Sequence, residues 1–545
     1  MTTTFYAPRY DIRVSGLTVA ADIGEQVLDL TVETDLDLAG TFALTLRNPD
    51  NALLDSALFD LGKTVEIHIG YGDELVPAFL GEICALEPSF PSDGPPVVRI
   101  SGYDKSYKMR RNQPEPTEYA FVNDSVVAAR IAVENGLIPL IDPTPGLHRK
   151  LIQAESDMAF LKSRAERYFM DVYVQWDRLH FQYPRPRTAA HVLEWGRNLS
   201  SFSPKISSAG LAGIQVIRGY NQELAQTIVG MAMAFDFDMT DIEERLGSSA
   251  MDLLTSLVRK GIRTHKVENP LDAMVLAKSM LATLLEGLYE GSGSCIGVPA
   301  LTAGDYIAIR GVGKRFSGTY RARKVTHRLG ESGFHTEFEI TQRSHSSIMS
   351  LLRKQIVEEP SPNKAERFFG VWVATVVDNK ELMDVPPQIP TGRVKLAYPG
   401  LSATITSGWA PCARPMGGKN MGFYALPEIG EQVLIGFENG ELAHPYVLGS
   451  LSSALALPPG GNTDGMNTKR IIKSRAGHTI TFDDTLDVGK LRIEDKLGSS
   501  ITLDATDGTI TIDARTTLNL SATAAISLEV GGTSIKLLPG QVIIT

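Results

Sequence analysis

Residues 500–545 read SITLDATDGTITIDARTTLNLSATAAISLEVGGTSIKLLPGQVIIT, and their spacing decides what kind of chain this is. Ile501, Ile510, Leu518, Ile526, Ile535 and Val542 follow one another at intervals of nine, eight, eight, nine and seven residues. Around each the pattern alternates, as in Ile510-Thr511-Ile512, Leu518-Asn519-Leu520, Ile526-Ser527-Leu528 and Ile535-Lys536-Leu537. A period of two puts the aliphatics on one face of a strand and the polar residues on the other. Small or turn-forming residues separate the rungs: Ala505-Thr506-Asp507-Gly508, Thr523-Ala524-Ala525, Gly531-Gly532-Thr533 and Pro539-Gly540. No such unit can bury its own apolar face, which is the mark of a repeat architecture. The rungs fit a narrow prism in which several chains each supply a strand per layer. The plainer alternative is a small meander sheet packed on the preceding domain.

Working back from there, 545 residues make room for about three to five domains. An apolar fraction of 43% and a charged fraction of 21% are ordinary for a soluble globular chain. The net charge of −10 argues against general affinity for nucleic acid or anionic membrane. Three scattered cysteines, Cys84, Cys295 and Cys412, do not make a disulfide framework and suit a reducing cytosol. The N-terminus lacks an apolar signal-peptide region, and no run is long enough for a membrane-spanning helix.

Residues 1–105 read as a first β-barrel, with alternation at 10–14, 42–46, 65–69 and 97–100. Residues 106–190 read as an α/β insertion. Asn123-Asp124-Ser125 caps one helix that stops near Asn135-Gly136, a second runs from Met158 to Tyr168, and a hairpin turns at Trp176-Asp177-Arg178. Residues 191–345 form a second barrel with helical segments near 241–258 and 270–289. In the latter, Leu271, Met274, Val275, Leu281, Leu284, Leu285 and Leu288 mark the expected core stripe. A short helix and Pro-rich linker occupy 346–365. An OB-type barrel follows at 366–451, with a tight hairpin expected at Asn439-Gly440. A second linker, 452–470, leads to a needle at 471–545.

The OB region carries Gly392-Arg393-Val394-Lys395, Trp409-Ala410-Pro411, Gly422-Phe423-Tyr424-Ala425-Leu426-Pro427-Glu428-Ile429-Gly430-Glu431-Gln432-Val433 and Pro445-Tyr446-Val447-Leu448-Gly449-Ser450-Leu451. In that order and spacing these resemble the OB module of contractile-tail spike proteins. Upstream, Gly297-Val298-Pro299, Ala303-Gly304-Asp305-Tyr306, Phe316-Ser317-Gly318-Thr319-Tyr320 and Val325-Thr326-His327 resemble the phage late-control protein D hub. Hub, OB module and needle in one chain resemble the VgrG family. The resemblance implies a mainly β, multidomain fold with two tube-like barrels, an α/β insertion, an OB-fold and a trimeric triple-stranded β-helix. It also implies a non-enzymatic homotrimer whose hub adapts a hexameric inner tube and baseplate to a threefold needle that punctures a target envelope. A PAAR-type tip protein would dock at Pro539, Gly540, Val542, Ile543, Ile544 and Thr545. The chain would fold in a bacterial cytoplasm before joining an extracellular or membrane-anchored particle; a type VI secretion spike or a phage spike are the alternatives.

Other chemistry is poorly supported. Gly311-Val312-Gly313-Lys314 has Arg315 where a phosphate loop needs Ser or Thr. Asp483, Asp484 and Asp487 lack calcium-loop spacing, His68 sits alone in a strand, and the last histidine is His478, so no cofactor or metal is expected. Asp504, Asp507 and Asp513 are the carboxylates available to a tailspike-like glycan depolymerase. Nucleic-acid binding by the OB region is disfavoured by six Lys/Arg against eight Asp/Glu in 366–451.

Overall fold

The structure, a computed structural model, describes residues 7–112, 114–184, 188–207, 212–221, 226–237, 243–245, 247, 258–260, 267, 269–331, 333–340, 370–381, 391–400 and 404–544. The helix expected near 241–258 and the helix and linker at 346–365 fall mostly or wholly outside them. Residues 1–449 form one compact unit and 450–545 another.

In the first unit the alternating segments become strands, and the two β regions share one sheet. Thirteen strands belong to it. From one edge inward run Leu199–Ile206, Tyr289–Ile296, Gly333–Ile340 and Gly318–Gly330, then Val27–Asp35, Thr41–Arg47 and Val97–Asp104, and so to Pro8–Val14. The seam is the antiparallel pairing of Gly318–Gly330 with Val27–Asp35, register Lys324↔Asp35 to Gly330↔Asp29. One face of the sheet is apolar: Leu30, Val32, Phe42, Leu44, Leu46, Val98 and Ile100 are buried in the first core, which Leu329 and Phe334 of the second region complete. The two barrels expected from sequence are therefore not independent layers, because each lends residues to a common sheet and core.

The helix Pro270–Glu286 starts where Asn269 accepts a bond from the Asp272 amide and Pro270 fills the first turn. Its buried face keeps only part of the expected stripe: Leu281, Leu285 and Leu288 are buried and Val275 and Leu284 pack half-buried against the cores, but Leu271 and Met274 face outward. Ala273, Leu276, Ala277, Leu281, Ala282 and Leu285 are buried, whereas Leu271 is 56% and Met274 39% exposed. The strand Gln226–Met233 explains the rotation: a Cβ added at Gly230 would lie 2.2 Å from the Ala273 backbone. Strand and helix approach so closely there that only the alanine side of the helix fits.

His327 lies in the common sheet, with Nε2 2.9 Å from the Leu301 carbonyl and Nδ1 3.0 Å from the Thr336 hydroxyl. The carbonyl needs a donor, so Nε2 carries the proton and Nδ1 accepts. Burial holds the imidazole neutral, its pKa down at about 4.

The insertion builds its own core from Val127, Ile131, Met158, Leu161, Leu179 and Phe181. Asn123 caps Asp124–Glu134 and Ser156 caps Asp157–Glu166, each side chain accepting a backbone N–H. The hairpin Asp171–Gln175 with Arg178–Gln182 turns at Trp176, whose φ is +59°. The His68 ring meets the Trp176 ring edge-on, centroids 5.4 Å apart, in a packing role.

The OB region is a five-stranded sheet including Val371–Asp378, Arg393–Ala397, Gln432–Phe437 and Pro445–Leu451 around Val394, Leu396, Tyr398 and Val433. Asn439-Gly440 does not make the tight two-residue hairpin. A 3-10 turn at Glu438–Gly440 opens a longer loop, closed by the Glu438 amide on the His444 carbonyl. Among the described residues no helix is long and apolar enough to cross a membrane.

Candidate functional site

The second unit holds two antiparallel meanders. The first begins upstream of the expected ladder: Lys469–Lys473, Thr479–Asp483, Lys490–Glu494, Ser500–Asp504 and Thr509–Asp513, paired in that order. The second is Ile526–Val530, Thr533–Leu538 and Gln541–Ile544. Leu518-Asn519-Leu520, expected as a rung, lies in no strand. Its polar and small neighbours, Thr516, Thr517, Ser521 and Ala522, offer no apolar partner for a pairing strand.

Register turns these strands into columns. Ile472, Ile480, Ile493, Ile501 and Ile512 stand opposite one another, and beside them run Arg470, Phe482, Leu491, Leu503 and Ile510. Residues two apart share a face, so both columns lie on one side of the sheet. The reverse side carries Lys469, Asp483, Lys490, Asp504 and Thr509 in one column, with Lys490 2.7 Å from Asp504. The second meander repeats the device, with columns Ile526–Leu537–Val542 and Leu528–Ile535–Ile544.

The apolar columns are unshielded in the single chain: Ile472 is 55%, Ile512 53% and Ile510 70% exposed. An apolar face of this extent marks an interaction surface. Each half-exposed side chain forgoes about 1 kcal/mol of burial, so the seven that are 40–70% exposed, Ile472, Phe482, Ile493, Ile501, Leu503, Ile510 and Ile512, leave roughly 7 kcal/mol unrealised per chain.

The aspartates are engaged in holding turns. Asp483 accepts the Thr485 amide and hydroxyl, Asp495 the Leu497 amide, Asp504 the Thr506 amide and Asp507 the Thr509 amide, in each case two residues on. The Lys490 ammonium holds the Asp504 carboxyl below its ordinary range. Asp504 faces Thr509 and Asp513 faces Ser500 at opposite ends of one strand pair, so the geometry does not assemble a carboxylate dyad. Gly311 and Gly313 turn the chain toward the strand Gly318–Gly330, with no helix to receive a phosphate.

Of the residues expected to dock a tip protein, Pro539 and Gly540 form the last turn, Gly540 at φ +73°. Val542 and Ile544 are exposed on the apolar face and Ile543 is half-buried on the other; Thr545 lies outside the described residues. Sequence reading put the first three strands of the meander inside a needle at 471–545 but named no rung before Ile501. The apolar pair Ile471-Ile472 hides the alternation of the first, though Ile480/Phe482 and Leu491/Ile493 carried the same signal.

A joined pair of β regions with an α/β insertion, an OB-like barrel and a run of two-faced strands defines a mainly β, multidomain protein. Residues 9–331, more than half of the chain, match the family described as the Alg8 N-terminal domain, and the chain belongs to that family. Residues 372–451 match the type VI secretion system/phage-baseplate injector OB domain. The type VI secretion system spike proteins VgrG2a and VgrG2b of Pseudomonas aeruginosa are each 25% identical to it over 223 residues. Those matches take in 38% of this chain and 26% and 21% of the relatives, so the chain spans about a quarter of the length of the curated relatives it matches. A chain of the half-lidded Francisella PdpA–VgrG complex shares the fold with a TM-score of 0.55 at 8% identity, covering 94% of this chain and 89% of that one. A chain of the lidless PdpA–VgrG complex gives 0.52 at 8%, covering 93% and 98%.

Proposed function

We propose that the chain is the central spike of a contractile injection machine, acting as a trimer and not as a catalyst. The observation that carries the reading is the pair of unshielded apolar columns on each needle meander. Three copies facing inward give a closed prism whose core is those columns and whose outside is the Lys/Asp ladder. Closure also removes open strand edges, which otherwise invite aggregation. In this reading the hub sheets of three chains, with two β regions each, make a pseudo-sixfold ring that matches a hexameric inner tube and baseplate. The needle punctures the target envelope and carries a PAAR-type tip protein on Pro539, Gly540 and Val542 to Thr545. The spike assembles in a bacterial cytoplasm and leaves it as part of a particle. The relatives VgrG2a and VgrG2b, type VI secretion system spike proteins, support the same class. An extracellular phage-tail-like particle is the preferred host machine within that class.

Averaged electron micrographs of the purified full chain test this. Expected are elongated particles with threefold symmetry in end views; particles of a single copy with no rotational symmetry would overturn it.

A further inference from the structure

We infer that the α/β insertion is the coupling that carries load from the hub sheet to the OB module, so that the two are fastened by more than the peptide chain between them. The inference rests on the spike reading, since axial load is what a spike transmits.

The insertion is bolted to the hub through buried charges. Arg321 of the common sheet pairs with Asp171 at the start of the insertion's hairpin, both side chains about 5% exposed, and Glu286 stands 3.6 Å from the same guanidinium. Lys162 reaches the Asp37 backbone carbonyl, and Arg167 lies 2.7 Å from Asp272 on the long hub helix. Tyr173 packs with Leu36 and Ala303 of the hub. Buried pairs of this kind hold geometry strictly, because separating the partners strands a charge in low dielectric.

Its other side seats the OB module. In the strand His148–Gln153, alternation sends neighbouring residues to opposite faces. Leu151 is buried in the insertion's own core, and Ile152 packs against the OB core of Val394, Leu396 and Ala410. On the same face as Ile152, Lys150 donates to the Thr406 hydroxyl at 3.3 Å and the Ser407 carbonyl at 3.2 Å while pairing with Glu118 at 2.8 Å. One strand thus stands between two cores, and thrust on the hub reaches the OB barrel through it. A cavity of about 200 Å³ bounded by Arg164, Leu271 and His444 sits where insertion, hub helix and OB loop meet.

The test uses the full chain with a protease site placed within 346–365, cleaved after folding and run on a sizing column with light scattering. The nicked wild type is expected to elute as one species at the uncut mass. Thr406→Lys sets a second ammonium against Lys150 and is expected to weaken the seat at least tenfold, releasing the hub part on dilution. Adding Lys150→Glu restores co-elution, since the new ammonium then meets two carboxylates, the introduced one and Glu118. Ile152→Asp, from the insertion side, also releases the hub. A nicked wild type that separates, or a Thr406→Lys chain that holds as tightly as wild type, overturns the coupling. The same trace reads stoichiometry: a nicked monomer that stays together removes the spike reading but leaves the coupling, and a trimer whose parts separate does the reverse.

Discussion

The hub sheet and the needle sheet are built from the same alternating pattern and end in opposite states. In the hub, Leu30, Val32, Leu46 and Ile67 are fully buried, because the apolar face of the sheet closes on helices and on strands of both β regions. In the needle, Ile472, Ile510 and Ile512 alternate just as well and stay more than half exposed. The difference lies in what the chain provides opposite each face. Hub strands of up to 16 residues are long enough to curl around a core, whereas needle strands of four to six residues are not. One region completes its fold within the chain; the other needs copies of itself.

The sharpest way to break that contrast is to charge the needle face. Ile493→Asp with Ile501→Asp puts adjacent carboxylates into each of three faces of a shared core. The expected result is loss of the trimer to a folded-hub monomer, a threefold drop in mass by sedimentation, with the hub's own melting transition retained. A smaller effect comes from the hub. Asp171→Ala leaves the buried Arg321 with Glu286 alone, 3.6 Å away, and a cost of about 3 kcal/mol in hub stability is expected in denaturant titration, with stoichiometry unchanged.

Acid separates the two regions next. Burial lowers the folded pKa of His327 to about 4 from the ordinary imidazole value of 6.5. The unfolded chain therefore takes up that proton first, so its contribution is complete above pH 6.5 and lost as pH falls toward 4. The loss approaches about 3 kcal/mol. His327→Gln, which keeps an amide donor for the Leu301 carbonyl, is expected to flatten that slope in hub unfolding measured at several pH values. The smallest effect sharpens the picture of the insertion: Ser156→Ala removes the N-cap of Asp157–Glu166 and is expected to cost about 1 kcal/mol in thermal unfolding.

Local signals were readable and long-range ones were not. Asn123 and Ser156 announce their helices because a cap acts within three residues. The alternation at 42–46 and 65–69 announces strands for the same reason. The seam that fuses the two β regions joins residues nearly 300 positions apart, and nothing in either strand names its partner. The rotated face of Pro270–Glu286 was hidden because it depends on Gly230, a residue on another element. At the needle, the columns on the apolar face were legible as a pattern; the first rung was obscured by Ile471-Ile472, and Leu518 mimicked a rung where none forms. The docking of a tip protein at Pro539 to Thr545 rests on resemblance alone, and the structure adds only that Val542 and Ile544 are exposed on the last strand.

The central claim is that the needle's apolar columns are buried between copies of the chain. The absolute mass of the purified full-length protein by light scattering tests it most directly. The account predicts a mass near three times 59.2 kDa at micromolar concentration. A stable species of 59.2 kDa would contradict it, leaving those columns without the partner that the spike reading requires.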